Sequence, residues 1–189
     1  MFVFETDRLP LERTHLMEWL HLDPLDVFHR RNEPGNAVNV RRIVGCARHQ
    51  READPDRLGQ RSQALREAQR RATAAGVRVD FRLGDVTRLG DIGLEPSYSL
   101  LHDFGCYHGL KSDERARYAE GVTPLAAPGA SLYMMEFTHA LPPIPSGVSE
   151  SELRERFGQA WDLLWSKPSE SGTPAMMRAS AAWFCLKKR

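Results

Sequence analysis

Several side chains that can carry out chemistry occur together between His102 and His108. The segment follows the apolar run Tyr98–Leu101, which reads as a short strand. Imidazole titrates near neutral pH, so either His108 or His102 could accept a proton from a substrate. Each histidine could equally pack or cap a loop. Cys106 lies between them, and the absence of an obvious base beside it argues against a nucleophilic thiol.

The overall charge argues against nucleic acid as a partner. The 189 residues carry a formal net charge of +1, whereas binding to a phosphate backbone normally needs a strongly basic surface. The arginine-dense stretch from Arg41 to Arg71 could form a basic patch, although a solvated helical face is the commoner arrangement. The phosphate loop G-x-x-x-x-G-K-[ST] is also absent from the sequence, which argues against an unrelated doubly wound nucleotide-binding protein.

Cysteine usage and hydropathy indicate a soluble cytoplasmic protein. Cys46, Cys106 and Cys185 are odd in number and lack the short pair spacings of a zinc site, so reduced thiols are the simplest interpretation. No segment approaches the ~18 apolar residues of a membrane span. The opening residues contain no apolar run of the roughly seven residues that a signal peptide needs. We expect one domain over residues 1–189, without a membrane partner.

The first half of the chain predicts a few elements. Alanine and leucine recur at helical spacing from Ser62, and Gly76 lies where a helix commonly ends. Apolar and charged residues then alternate from Val77 to Leu83, which predicts a strand near the edge of a sheet. Upstream, one or two short helices are expected over residues 11–31, and Arg42–Cys46 could form a buried strand.

The second half alternates between strands and helices. The predicted elements are a helix over Ser112–Leu125 with Ser112 as its N-cap, a strand covered on both faces over Ala130–Phe137, a helix over Ser149–Phe157 with Ser149 and Glu152 at capping-box spacing, and strands over Trp161–Trp165 and Ala179–Leu186. This order indicates an α/β fold with a doubly wound, mostly parallel sheet.

Several motifs in a characteristic order give the chain a resemblance to a known family. They are Ala64-Leu65-Arg66-Glu67-Ala68 in the predicted helix, the loop Gly84-Asp85-Val86-Thr87, and the segment Leu101-His102-Asp103-Phe104-Gly105-Cys106-Tyr107-His108-Gly109-Leu110. Together they resemble small bacterial class I S-adenosylmethionine-dependent methyltransferases over about residues 60–188.

The resemblance implies a Rossmann-like, seven-stranded sheet with helices on both faces and with the Val77–Leu83 strand at one edge. It also implies S-adenosylmethionine as the cofactor and a small molecule as the methyl acceptor. In such folds the ligand lies in the crevice beyond the carboxyl ends of the strands.

The same resemblance assigns roles to residues. Asp85 would accept a hydrogen bond from the adenine amino group, and Val86 would lie beside the ring. Asp103 and Phe104 would face the methionine part of the cofactor. His108 and Asp103 would serve the transfer itself, with His108 as the base for the acceptor proton.

The first third departs from the family's pattern. The family ends its first strand in a D-x-G-x-G-x-G loop, whose glycines let the backbone approach the cofactor, whereas Gly45 is the single glycine in Ile43–His49. Asp54 and Asp56 lie too early to supply the acid that normally ends the second strand. Either this part has diverged or its reading frame is altered across residues ~35–60, and in both cases the first strands are missing or degenerate. The alternatives are a methyltransferase, impaired by this loss, and a non-catalytic remnant or binding module of the same fold.

Overall fold

The fold is built around a six-stranded sheet. A computed structural model describes residues 2–6, 40–45, 66, 69, 70, 73, 74, 81, 82, 84–140, 146–169 and 180–189. In chain order the elements are β1 (Phe2–Thr6), β2 (Val40–Gly45), the 3-10 helix η1 (Val86–Ile92), β3 (Tyr98–Phe104), the 3-10 helix η2 (Tyr107–Gly109), α1 (Ser112–Leu125), β4 (Ala126–Phe137), α2 (Glu150–Phe157), β5 (Trp161–Pro168) and β6 (Ala181–Lys188).

The strand order is β2-β1-β3-β4-β6-β5. The α/β architecture is therefore confirmed, but the strand directions differ from the expected mostly parallel sheet. Among the described pairings only β3 and β4 run parallel. β1 is antiparallel to both of its neighbours, β2 and β3, and β6 is antiparallel to both β4 and β5.

The predicted edge strand Val77–Leu83 is not found where the structure describes it. Phe81 and Arg82 have no strand pairing, and the Arg82 guanidinium instead donates to the carbonyls of Ile92 at 3.0 Å and Gly93 at 2.7 Å. Alternation shows which side chains could share a face, but a strand also needs a neighbour to pair with. The rest of that stretch lies outside the described residues, and the edges of the described sheet are β2 and β5.

Two buried apolar clusters cover opposite faces of the sheet. The larger joins β3, β4, β5 and β6 to α1, α2 and η1, and the smaller contains Met135 and Trp183. Neighbours along a strand point to opposite faces, and Met134 accordingly belongs to the larger cluster while Met135 belongs to the smaller. The prediction of a strand buried on both faces is confirmed for this part of β4.

The helix ends follow local capping chemistry. α1 begins at Ser112 as predicted, but its N-cap is Lys111, whose N–H donates to Glu114 Oε2 at 2.7 Å. The predicted N-cap, Ser112, is therefore wrong by one residue, because the Glu114 carboxylate accepts the backbone N–H of Lys111 and so caps the helix from there. α2 has the predicted cap, since the Glu152 N–H donates to Ser149 Oγ at 3.2 Å.

The N-terminal predictions are covered only in part. The Arg42–Cys46 strand is confirmed as β2, which ends at Gly45. Described residues of the predicted Ser62 helix, including Arg66 and Arg70, are helical and exposed, whereas its apolar positions, Gly76 and the helices over residues 11–31 lie outside the description. No described helix is long and apolar enough to cross a membrane.

Candidate functional site

Three strands end at the same edge of the sheet. β1 is antiparallel to both β2 and β3, so β2 and β3 point the same way, and β4 runs parallel to β3. Gly45, Phe104 and Phe137 are the last residues of these strands. The predicted loop glycine therefore reaches the edge where Asp103 lies, which is where α/β sheets bind ligands.

Asp103 lies inside β3, although the sequence placed it in the loop beyond. Its register partner is Met134, and Phe104 pairs with Met135. The Asp103 side chain is fully buried, and its Oδ1 accepts the Cys106 N–H at 2.8 Å. The carboxylate thus shapes the turn that follows the strand.

A second buried carboxylate, Glu136, lies on the same face at the end of β4. Glu136 is two residues beyond Met134, which is the register partner of Asp103, and so points to the same side. Among the described residues, four buried side-chain oxygens lack a hydrogen bond of normal geometry: Asp103 Oδ2, Glu136 Oε1 and the hydroxyls of Tyr98 and Tyr118. Burial first, and then the Asp103 charge, raise the pKa of Glu136 and the pKa of Tyr118 well above their usual ranges.

His108 is held by Glu136 at two points. Glu136 Oε2 lies 2.8 Å from His108 Nδ1 and accepts the His108 backbone N–H at 2.9 Å. The imidazole also lies 4.7 Å from the Phe137 ring, centroid to centroid. Gly105 closes the other side, since its φ is +76° and a Cβ there would lie 3.1 Å from His108 Cε1. The ring orientation is therefore set by packing as well as by hydrogen bonds.

Arg115 joins the segment after β3 to the segment before α2. The side chain is 3% exposed, and its Nη2 donates to the carbonyls of His108 at 3.0 Å and Ser146 at 2.9 Å. Its Nη1 bonds Glu152 Oε2 at 2.8 Å, and its Nε donates to Leu110 O at 3.1 Å. A rigid guanidinium can hold several carbonyls at once, which a lysine cannot.

His102 and Phe104 lie on the opposite face from Asp103. Alternation along β3 turns both toward Trp183, and ring centroids lie 5.8 Å and 6.1 Å from it. Asp103 and Phe104 were both predicted to face the cofactor, and neighbours on one strand cannot do so from the same face. Burial lowers the pKa of His102 to about 3. His102 is therefore a poor base at neutral pH, which leaves His108 as the better of the two candidates.

Asp85 is the N-cap of η1. Its Oδ1 accepts the Thr87 N–H and the Thr87 hydroxyl, each at 2.8 Å. Val86 is fully buried in the larger apolar cluster, so its side chain is a core residue. Gly84 is needed for a different reason, because a Cβ at this position would overlap the Ile92 side chain.

Sequence reasoning missed Glu136, Arg115 and Tyr118. Glu136 could have been found, since it is the single charged residue in the otherwise apolar run Ala130–Phe137, and a buried charge normally has a specific partner. Arg115 and Tyr118 lie in a helix rich in charged residues and carry no comparable signal. The structure describes no group of three or more His, Cys, Asp or Glu side chains that could hold a metal ion.

Comparison with known proteins identifies the fold. No known protein family and no curated protein sequence matches the chain. Solved structures do match. An S-adenosylmethionine-dependent methyltransferase from Methanosarcina mazei has a TM-score of 0.53 at 14% identity, over 78% of this chain and 82% of that one. Another from Clostridium acetobutylicum has a TM-score of 0.51 at 9% identity, over 67% and 71% of the two chains. The chain has the fold of S-adenosylmethionine-dependent methyltransferases.

A third structure comes from work on the conversion of a disulfide bond into a thioacetal group during echinomycin biosynthesis. It has a TM-score of 0.52 at 20% identity and covers 66% of this chain. The chain spans 62% of the length of that protein, which is less than two thirds. Identities this low establish the fold and leave substrate and activity to be argued from the site.

Proposed function

We propose that the chain is a methyltransferase that binds S-adenosylmethionine at the common edge of β2, β3 and β4 and methylates a small molecule. The observation that carries this proposal is the meeting of Gly45, Asp103 and Glu136 at the edge where three strands of the same direction end. The methyltransferase fold of the matched structures supports it. The near-neutral net charge of +1 favours a small acceptor over nucleic acid.

The residues at this edge fit such a cofactor in part. Gly45 has no Cβ and so allows the backbone to approach a ligand. Asp103 Oδ2 is a buried acceptor for which no hydrogen bond of normal geometry is described, and the Tyr118 hydroxyl interacts with the same carboxylate. Val86 fits less well, because only its backbone could reach a ligand from the core. When bound, the cofactor supplies a methyl group that is already activated as an electrophile.

The protein's task is then mainly one of positioning. Methyl transfer needs an acceptor atom held close to the methyl carbon and in line with the breaking bond. In this proposal Asp85 and Gly45 hold the adenosyl part, and His108 takes the acceptor proton. Asp103 borders the methionine part with its side chain, and Phe104 does so with its backbone alone. We also propose that residues 1–189 form one domain and that it acts in the cytoplasm.

Calorimetric titration with S-adenosylmethionine, or with its demethylated product, tests the proposal. We expect micromolar binding. Asp85→Ala should weaken it by about 10- to 150-fold, since losing one hydrogen bond that involves a charged group costs about 1.5–3 kcal/mol. The matched control is Asp91→Ala in the same 3-10 helix, where an exposed Asp91 pairs with Arg88 at 2.6 Å; its affinity should equal that of the unmodified protein.

The calorimetric result also separates the alternative. No measurable heat at millimolar ligand, from a protein with a cooperative unfolding transition, would support the non-catalytic binding module and overturn the enzyme proposal. Circular dichroism of Asp85→Ala checks that weaker binding is not caused by unfolding, because removing an N-cap costs about 0.5–2 kcal/mol of stability.

A further inference from the structure

Two acidic side chains are buried on neighbouring strands where β3 and β4 end. Asp103 and Glu136 are both fully buried. They lie on the same face of the sheet, because Glu136 is two residues beyond Met134, the register partner of Asp103. Like charges in a buried site destabilise each other. The charge of this pair therefore needs compensation directly under the edge where the ligand site is proposed.

The segment that follows β3 holds both acids in place. The backbone N–H of Cys106 donates to Asp103 Oδ1 at 2.8 Å. The His108 N–H donates to Glu136 Oε2 at 2.9 Å, and the same oxygen lies 2.8 Å from His108 Nδ1. Neither carboxyl group can turn toward water without breaking these hydrogen bonds. The two acids are therefore fixed beside each other and beside the ligand edge.

Positive charge around the pair is only partly available to it. The Arg115 guanidinium on α1 attracts a negative charge on Glu136, as does the α-amino group of the chain. Arg115, however, already bonds both oxygens of Glu152 on α2, at 3.1 Å and 2.8 Å. The buried Tyr118 hydroxyl on α1 faces the same two acids. Burial and the Asp103 charge prevail and raise the pKa of Glu136 well above its usual range, so we expect the ligand-free chain to keep a proton on Glu136.

We propose that Glu136 releases this proton when a cationic ligand binds at the common edge of β2, β3 and β4, and that it takes a proton up again when the ligand loses its positive charge. A positive charge near a carboxyl group favours the ionised form of that group. On binding, the O–H bond of the Glu136 carboxyl breaks, its electron pair stays on the oxygen, and the proton passes to the solvent. The charge of the ligand then offsets the repulsion between Glu136 and Asp103.

This inference rests on the proposed function and gives the same site a means of distinguishing cofactor from product. S-adenosylmethionine carries a positive charge that its demethylated product lacks, because its sulfur is a sulfonium. An ionised Glu136 should therefore favour the cofactor, and a protonated Glu136 should lose that preference. The protonation of Glu136 thus regulates which of the two ligands the site holds more tightly.

Calorimetric titration of the whole chain in two buffers of different ionisation enthalpy tests the proposal, because the difference in heat between the buffers counts the protons released. Between about pH 5 and 6.5 the α-amino groups of both ligands stay protonated, so the protons come from the protein. S-adenosylmethionine should release more protons than the demethylated product, by up to about one per site. The affinity for S-adenosylmethionine relative to the product should rise with pH over this range, by at most about tenfold per pH unit.

Two variants assign the released proton. Glu136→Gln has no carboxyl proton to give up, so the difference in proton release between the two ligands should disappear. A loss of packing alone would weaken both ligands without removing that difference. Asp113→Asn changes an exposed acid of α1 that pairs with Arg117 at 3.0 Å, and it should release as many protons as the unmodified protein. A difference that persists in Glu136→Gln, or that vanishes equally in both variants, contradicts the proposal.

The comparison of the two ligands on the unmodified protein keeps the test decisive if Glu136→Gln fails to fold. Equal proton release with both ligands, together with a pH-independent ratio of their affinities, overturns this inference and leaves the proposed function standing. Failure of the chain to bind either ligand overturns the proposed function, and the inference with it.

Discussion

Replacing Arg115 by methionine should destabilise the fold strongly. Arg115 is almost completely buried, and its guanidinium bonds both oxygens of Glu152, at 3.1 Å and 2.8 Å. Methionine keeps much of the side-chain length but removes the charge and every donor. Breaking a buried ion pair by removing one partner costs about 3–5 kcal/mol. Because 18% of the Glu152 side chain is exposed and water can reach it, we expect the lower end, about 3 kcal/mol.

Urea unfolding followed by tryptophan fluorescence measures this effect. With a slope of about 2 kcal/mol per molar urea, the midpoint should fall by about 1.5 M. Arg115→Lys should lose most of the same stability, since an ammonium cannot hold Glu152 and the loop carbonyls together.

Arg156→Met is the matched control for Arg115→Met. Arg156 bonds the same Glu152 carboxylate at 3.0 Å, but 21% of its side chain is exposed. An ion pair this accessible to water contributes at most about 1 kcal/mol. Equal losses of unfolding free energy in the two methionine variants, or a loss below about 1 kcal/mol for Arg115→Met, would refute the view that burial strengthens the contribution of Arg115 to stability.

Three further predictions concern the backbone and the pH dependence of stability. Gly105→Ala should lower the free energy of unfolding by about 1–2 kcal/mol because its backbone is left-handed, and by more because the new Cβ contacts His108. The control Gly129→Ala has φ +71° and no atom within 4 Å, so it should show the backbone cost alone. Equal urea midpoints for the two variants would contradict this. Burial lowers the pKa of His102 from 6.5 to about 3, so between these two pH values His102 is protonated in the unfolded chain alone. The free energy of unfolding should therefore fall by roughly 1.4 kcal/mol per pH unit below pH 6.5. His102→Phe should flatten this slope, and an unchanged slope in the variant would rule out its assignment to His102. Burial raises the pKa of Glu136, so the folded protein keeps this proton at pH values where the unfolded chain has lost it. Stability should therefore fall as the pH rises above 4.5, the ordinary pKa of a glutamate, and Glu136→Gln should remove that fall. If the variant loses stability with rising pH as the unmodified protein does, the prediction is disproved.

Local patterns in the sequence were enough to predict the positions of the helices and strands in the second half of the chain, but not the directions of its strands. α1 starts and ends at the predicted residues, and β4, α2, β5 and β6 lie where apolar runs, caps and breakers placed them. These signals depend on neighbours a few residues apart along the chain, such as the capping contact between Ser149 and Glu152. The Gly45 strand was also predicted, on its short apolar run alone.

Pairing and partnership were decided by the tertiary structure. Nothing in the alternation of Val77–Leu83 reveals whether a neighbouring strand is there to receive it, and nothing in the opening residues reveals that β1 pairs with both β2 and β3. His108 and Glu136 are 28 residues apart along the chain, yet Glu136 Oε2 forms hydrogen bonds with both the backbone N–H and the ring of His108. The sequence by itself determined which segments could form helices and strands, and it pointed to His102, Asp103 and His108 as candidates for chemistry but not to Glu136. Only packing brought Asp103, Glu136 and His108 together in a buried site, because burial and register depend on contacts between distant parts of the chain, and those contacts set the charge that each side chain can hold.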